Sequence, residues 1–289
     1  MKAEVLLQAG DVLGESPLWC ARRERLFWVD IRSAVLQCCD AGGSSYKRWP
    51  MPSMIGSFAF TKGDALVVAL RDGFHRFDPA SGDLAPIATP EADRPQHRMN
   101  EGKCDPRGRF FAGSMNDAVR EPTGVLYRLD TDLRCTAVKH AIAVPNSLCW
   151  SPDGERMYFA DTETQVIVAY RYDADAGTFD RPALFADLRS GGGRPDGATV
   201  DAEGCLWSAE IGTGAVVRYA PDGREIARIS LPVSRVTSLT FGGPEHRTLF
   251  VTTSTHKLNA QEREAQRLAG SLFVMQTGVA GLPASWFDG

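Results

Sequence analysis

Glu15, Asn100, Asn146 and Asp196 are carboxylates and amides that stand at one position of a recurring pattern, each at the start of a short strand-like run. The clearest copy is Val144-Pro-Asn146-Ser-Leu-Cys-Trp150, followed by the turn Ser151-Pro-Asp-Gly154 and a second apolar run, Arg156-Met-Tyr-Phe-Ala-Asp161. Asn100 leads the same arrangement into Asp105-Pro-Arg-Gly108, Asp196 leads it into Asp201-Ala-Glu-Gly204, and weaker copies begin at Glu15, Gly56 and Thr237. If the chain brings the four polar positions together, two carboxylates face each other, and they repel unless one is protonated or a cation sits between them. The amide carbonyls add neutral oxygen ligands. Such a set, without Cys or His, suits hard cations such as Ca²⁺, Mg²⁺ or Mn²⁺ rather than a structural zinc. With three or four protein ligands, positions stay open for water or substrate, as a catalytic metal requires.

The elements that must position these residues follow from the spacing. The six leading positions, Glu15, Gly56, Asn100, Asn146, Asp196 and Thr237, are separated by 41, 44, 46, 50 and 41 residues. Repeats of this length built only of short strands and Gly/Pro turns predict an all-β fold, a six-bladed β-propeller with four-stranded antiparallel blades. Equivalent positions of the innermost strands then point into one axial channel. The strand at residues 3 to 8 has no partner of its own; it is expected to close the ring by pairing with Gly270-Ser-Leu-Phe-Val-Met275, which removes an exposed edge. His256 to Leu268, rich in helix formers and free of Gly and Pro, predicts a helical surface insertion in the last blade. With no linker, low-complexity tract or charge block, residues 1–289 read as a single domain.

Composition narrows the partners. A formal charge of −4 with scattered Lys and Arg gives no electrostatic case for nucleic acid or an anionic membrane. The N-terminal apolar run is too short for a signal-peptide core and no window approaches a membrane span, so a cytoplasmic location is expected, as a monomer or weak homodimer. The seven cysteines include no Cys-x-x-Cys pair and read as reduced, mostly buried thiols. Gly191-Gly-Gly193 lacks phosphate-loop spacing, and Asp173-Ala-Asp-Ala-Gly177 lacks the ligands of a calcium loop and reads as a hairpin turn. Neither Gly-x-Ser-x-Gly nor His-Glu-x-x-His occurs, and His75, His97, His140, His246 and His256 occupy unrelated repeat positions. The channel ring is therefore the candidate site.

At these residues the chain resembles the senescence-marker-protein/gluconolactonase/regucalcin family. The matching stretches are Gly14-Glu-Ser-Pro-Leu-Trp19, Phe27-Trp-Val-Asp-Ile31, Arg98-Met-Asn-Glu-Gly-Lys-Cys-Asp-Pro-Arg-Gly-Arg109, Val144-Pro-Asn-Ser147, Tyr158-Phe-Ala-Asp-Thr162 and Pro195-Asp-Gly197. The resemblance implies Glu15, Asn146 and Asp196 as ligands of one divalent cation (Ca, Zn, Mn, Mg or Fe), Asp196 also as the catalytic acid/base, and Arg98 and Asn100 as substrate contacts. A further acidic contact follows a Gly-Thr-Met sequence in the family; here Gly113-Ser-Met-Asn-Asp117 departs from it, and Asp117 is the nearest acidic candidate. The implied activity is metal-dependent hydrolysis of a sugar lactone to its aldonic acid. Two alternatives are a regucalcin-like calcium-binding regulator without turnover and a phosphotriesterase. Loops at Met51 to Ile55 and Asp117 to Thr123 are expected to set the choice of sugar.

Overall fold

The computed structural model describes residues 1–289. The chain forms six four-stranded antiparallel sheets arranged as the blades of a β-propeller. The innermost strands of blades 1 to 6 are Gly14–Cys20, Ile55–Phe60, His97–Cys104, Pro145–Trp150, Arg194–Val200 and Val236–Gly242. Glu4–Leu7 pairs antiparallel with Leu272–Gln276 and so completes blade 6, as the unpartnered N-terminal run predicted.

The apolar residues of each strand are divided between two neighbours. Six buried clusters lie between successive blades, so the core is a ring of interfaces rather than one central mass. At the closing interface Trp19 of blade 1 stacks on Phe250 of blade 6, with ring centroids 5.7 Å apart. A large side chain buried there contributes roughly 1.5–3 kcal/mol.

Every innermost strand carries a β-bulge at the same place. The pairing register shifts between Glu15 and Leu18, Ile55 and Ser57, Met99 and Gly102, Asn146 and Cys149, Pro195 and Ala198, and Val236 and Ser238. A bulge re-aims the side chain beside it, and here it turns the leading residue of each repeat toward the axis. Hydrogen bonds then tie neighbouring innermost strands: Ser16 Oγ donates to the Gly56 carbonyl (2.9 Å) and Ser147 Oγ to the Asp196 carbonyl (2.7 Å). Thr237 Oγ1 donates likewise to the Gly14 carbonyl (2.5 Å). Gly56 is the one leading position with no side chain because blade 3 approaches too closely; a Cβ there would lie 2.4 Å from the Met99 carbonyl oxygen.

The helical insertion is shorter than its composition predicts, covering only Ala260–Ala265. Lys257 takes a left-handed φ of 63°, and Asn259 caps the helix by accepting from the Glu262 amide while the Glu262 side chain accepts from its own. The C-terminal tail, which carried no sequence signal, crosses the ring face away from the candidate site. It buries Phe287, whose amide donates to the Phe60 carbonyl at 2.7 Å. No helix is long and apolar enough to cross a membrane.

Candidate active site

A cavity of about 290 Å³ opens at one end of the channel, and its lining includes Glu15, Asn100, Asn146 and Asp196 from blades 1, 3, 4 and 5. All four are buried. The recurring sequence position and the recurring bulge therefore converge at one place.

The two amides are held in a directional chain. Arg98 Nη1 donates to Asn100 Oδ1 (2.7 Å), and Asn100 Nδ2 donates to the Pro145 carbonyl (2.9 Å) and to Asn146 Oδ1 (3.2 Å). Asn146 Nδ2 donates to Thr162 Oγ1 (2.8 Å), whose hydroxyl donates to the Pro195 carbonyl (2.8 Å). Each member uses its donor on the next, so both amide planes are fixed. The remaining lone pair of Asn146 Oδ1 is left for a further partner.

The two carboxylates are in the opposite condition. Glu15 and Asp196 lie within hydrogen-bonding reach of each other, and neither forms an ion pair with a cationic side chain. Burial, then the charges of Asp196 and Glu101, push the Glu15 carboxyl well above its usual range. Burial and Glu101 raise Asp196 likewise. Glu101 follows Asn100 at the bulge, where the other blades carry Ser16, Ser57, Ser147, Gly197 and Ser238. Its carboxylate accepts from the Leu148 amide (2.8 Å), and burial pushes it up to about 7.

An uncompensated pair of buried carboxylates is costly, and it becomes favourable when a cation lies between them. Glu15, Asp196 and the free lone pair of Asn146 thus fit a hard divalent cation. No three His, Cys, Asp or Glu side chains gather into a metal cage by themselves.

Arg98 lines the cavity, and Asp117 does not. Arg98 Nε donates to Asp117 Oδ1 at 2.7 Å, and Arg32 grips both oxygens of Asp117 at 2.6 and 2.8 Å. Burial raises the Asp117 carboxyl, but the Arg98 and Arg32 guanidiniums outweigh it and hold Asp117 down at about 2. Asp117 stands behind Arg98 as its counter-charge instead of facing the cavity. Arg32 Nη2 lies 3.4 Å from His256 Nε2, and burial together with Arg32 pushes that imidazole down to about 4, so it is neutral at physiological pH.

Several residues of the site were not visible in sequence. Thr162 lies in a stretch the family resemblance flagged, but its link between Asn146 and blade 5 depends on the three-dimensional approach of the blades. Arg120, His256 and Lys257 line the cavity from loops with no repeat position, while Arg235 stands two residues before the leading Thr237, as Arg98 does before Asn100. Of the two loops expected to set specificity, the one at Asp117 to Thr123 supplies Arg120, whereas Met51 to Ile55 contributes no lining residue. The carboxylates that end two second strands serve as clamps on incoming loops: Asp30 accepts from the Val12 and Leu13 amides, and Asp161 accepts from those of Ala143 and Val144.

The family model described as SMP-30/Gluconolactonase/LRE-like region matches residues 13–255. An L-arabinolactonase of Azospirillum brasilense is 37% identical over 100% of this chain and 96% of its own length. A 6-deoxy-6-sulfogluconolactonase of Pseudomonas putida is 35% identical over 96% of each chain. Among solved structures, the calcium-binding protein regucalcin of Agrobacterium tumefaciens superposes with a TM-score of 0.94 at 30% identity, covering 98% of this chain and 96% of that one.

Proposed function

The chain belongs to the SMP-30/gluconolactonase/LRE-like family, and from that premise we propose that it is a carboxylic ester hydrolase opening a sugar lactone to the aldonic acid. The observation that carries this reading is the buried Glu15–Asp196 pair at the base of a polar cavity, with two oriented amides and a guanidinium beside it. Lactone opening requires a base for water, stabilisation of the developing oxyanion, and a grip on the sugar hydroxyls. Each has a candidate here.

Asp196 acts as general base and acid. It takes a proton from the attacking water as the water oxygen bonds to the lactone carbonyl carbon, and it returns a proton to the ring oxygen as the carbon–ring oxygen bond breaks. Arg98 and Asn100 orient the sugar hydroxyls, one through several donors and the other through an amide that donates and accepts. Asp117 and Arg32 keep Arg98 in place. Glu15, Asn146 and Asp196 would hold one divalent cation. Bound there, it supplies Lewis acidity to the carbonyl oxygen.

The test is acid release from a panel of glucono-, galactono- and arabinonolactones by chelator-treated protein, before and after single metals are restored. Metal-dependent opening supports the reading. Tight calcium binding with no opening of any lactone would instead favour the binding-protein reading that the regucalcin likeness allows.

A further inference from the structure

The protein is acidic overall, with a formal charge of −4, yet the rim of its cavity is basic. Five cationic side chains line the cavity, Arg98, Arg120, Arg194, Arg235 and Lys257, against three acids, Glu15, Glu163 and Asp196. Two of the five are compensated: Arg98 by Asp117 at 2.7 Å and Arg194 by Glu163 at 2.7 Å. Arg120, Arg235 and Lys257 have no ion-pair partner, whereas arginines elsewhere are generally paired, as Arg109, Arg128, Arg218 and Arg228 are.

These three charges are close enough to feel each other. Burial, then Arg120 and Arg235, push the Lys257 ammonium below its usual range; burial lowers the Arg235 guanidinium, with Asp196 opposing and Arg120 adding to the fall. They converge from separate segments. Arg120 comes from the loop after Phe110–Asn116, Arg235 immediately precedes the innermost strand of blade 6, and Lys257 follows Thr248–Thr253 on a backbone held at φ 63°. Arg235 Nε is buried with no hydrogen-bond partner, and the only side-chain atom Arg120 reaches is Met115 Sδ, at 3.9 Å. Asp196, Glu262 and Glu163 offset these charges only at a distance, and like charges gathered with no ion-pair partner contribute little to the fold. An anion entering the cavity would relieve the repulsion and take up the idle donors, with guanidinium forks suited to an oxyanion.

Glu15 and Asp196 are buried, whereas Arg120 and Lys257 are exposed and Arg235 is half-buried, so with the carboxylate pair at work on the lactone carbonyl the three cations are left for the part of the substrate nearer the mouth. Building on the lactonase reading, we propose that the substrate is an anionic sugar lactone, bearing a carboxylate, phosphate or sulfonate at the end remote from the lactone carbonyl. Arg120, Arg235 and Lys257 receive that group, and they determine the choice between charged and neutral lactones.

The test compares kcat/KM within pairs that differ by the terminal anion: D-glucaro-1,4-lactone against D-glucono-1,4-lactone, and the 6-phosphate of D-glucono-1,5-lactone against the parent. The charged member is expected to win by about tenfold or more at low salt, and the advantage should shrink as ionic strength rises past about 0.15 M. Replacing the three residues together, as Arg120→Gln, Arg235→Gln and Lys257→Gln, should collapse the charged-to-neutral ratio, while Arg120→Lys with Arg235→Lys should retain much of it; the Tm of each variant controls for folding. The two charged groups, planar and tetrahedral, show which anion the rim prefers. A wild-type ratio at or below one, or a ratio unchanged in the triple Gln variant, overturns the proposal. If no lactone is opened at all, the lactonase reading fails by itself, and the rim is then read by calorimetry with 6-phosphogluconate against glucitol. Binding of the anion alone, lost in the triple variant, upholds an anion site; no binding of either overturns it.

Discussion

Glu15 and Asp196 come from blades 1 and 5, yet their buried carboxyls lie within hydrogen-bonding reach of each other, with no cationic side chain paired to either. Most properties expected of the site follow from that juxtaposition.

The first concerns pH and metal. Burial raises both carboxyls, helped at Glu15 by the charges of Asp196 and Glu101 and at Asp196 by that of Glu101, and Glu101 itself sits at about 7. For an acid whose folded pKa lies above its unfolded value, the stabilisation is complete below the unfolded value and is lost as pH rises through the folded one. The Tm of chelator-treated protein should therefore fall between about pH 5 and 8. Saturating divalent cation should flatten that fall, because it favours the ionised carboxylates. A metal-free Tm that climbs across the same range would contradict the pairing.

Asp196→Asn removes the proposed base and one charge of the pair. Turnover should drop by about 10²-fold to 10⁴-fold. The metal-free Tm should hold or rise, since a repulsive charge is gone. Retention of near-normal kcat in metal-replete buffer would assign the proton transfer to another group.

Asp117→Asn tests positioning. Arg98 and Arg32 both lose their shared counter-charge, so KM should rise by about tenfold, more than kcat falls. Stability at neutral pH should drop by about 1–2 kcal/mol. Because Asp117 is held at about 2, below its unfolded value, that stabilisation is present above roughly pH 4 and disappears as pH falls toward 2. The difference between variant and wild type should narrow over that interval; a substrate contact with no role behind Arg98 would leave stability unmoved.

Gly56→Ala tests the close approach of blades 2 and 3. The added methyl would meet the Met99 carbonyl oxygen at 2.4 Å, so the strands must part. Chemical denaturation should show a loss of about 1–3 kcal/mol. As Met99 precedes Asn100, lactone KM should also rise. An unchanged midpoint would mean that the blades separate at no cost.

The ring architecture could be read from the sequence because a propeller repeats one local instruction: a leading polar residue, a short apolar run, a tight turn and a second run. Glu15, Asn100, Asn146 and Asp196 were found by that repetition, and their meeting in one cavity follows from equivalent positions sharing an axis. Asp117 was placed near the substrate by sequence proximity to a family motif, but the direction of a side chain in a loop is set by its partners, and Arg32, distant in the chain, turns it away. The helix was overestimated for a related reason: composition favoured it throughout, while the left-handed Lys257 and the Asn259 cap fixed where it starts. Strand periodicity and turn chemistry act over a few residues, so the sequence alone determined the blades and the polar ring. The chain of amides, the clamped Asp117 and the basic rim join loops from different blades, and only the closed tertiary structure brings those charges close enough to act on one another.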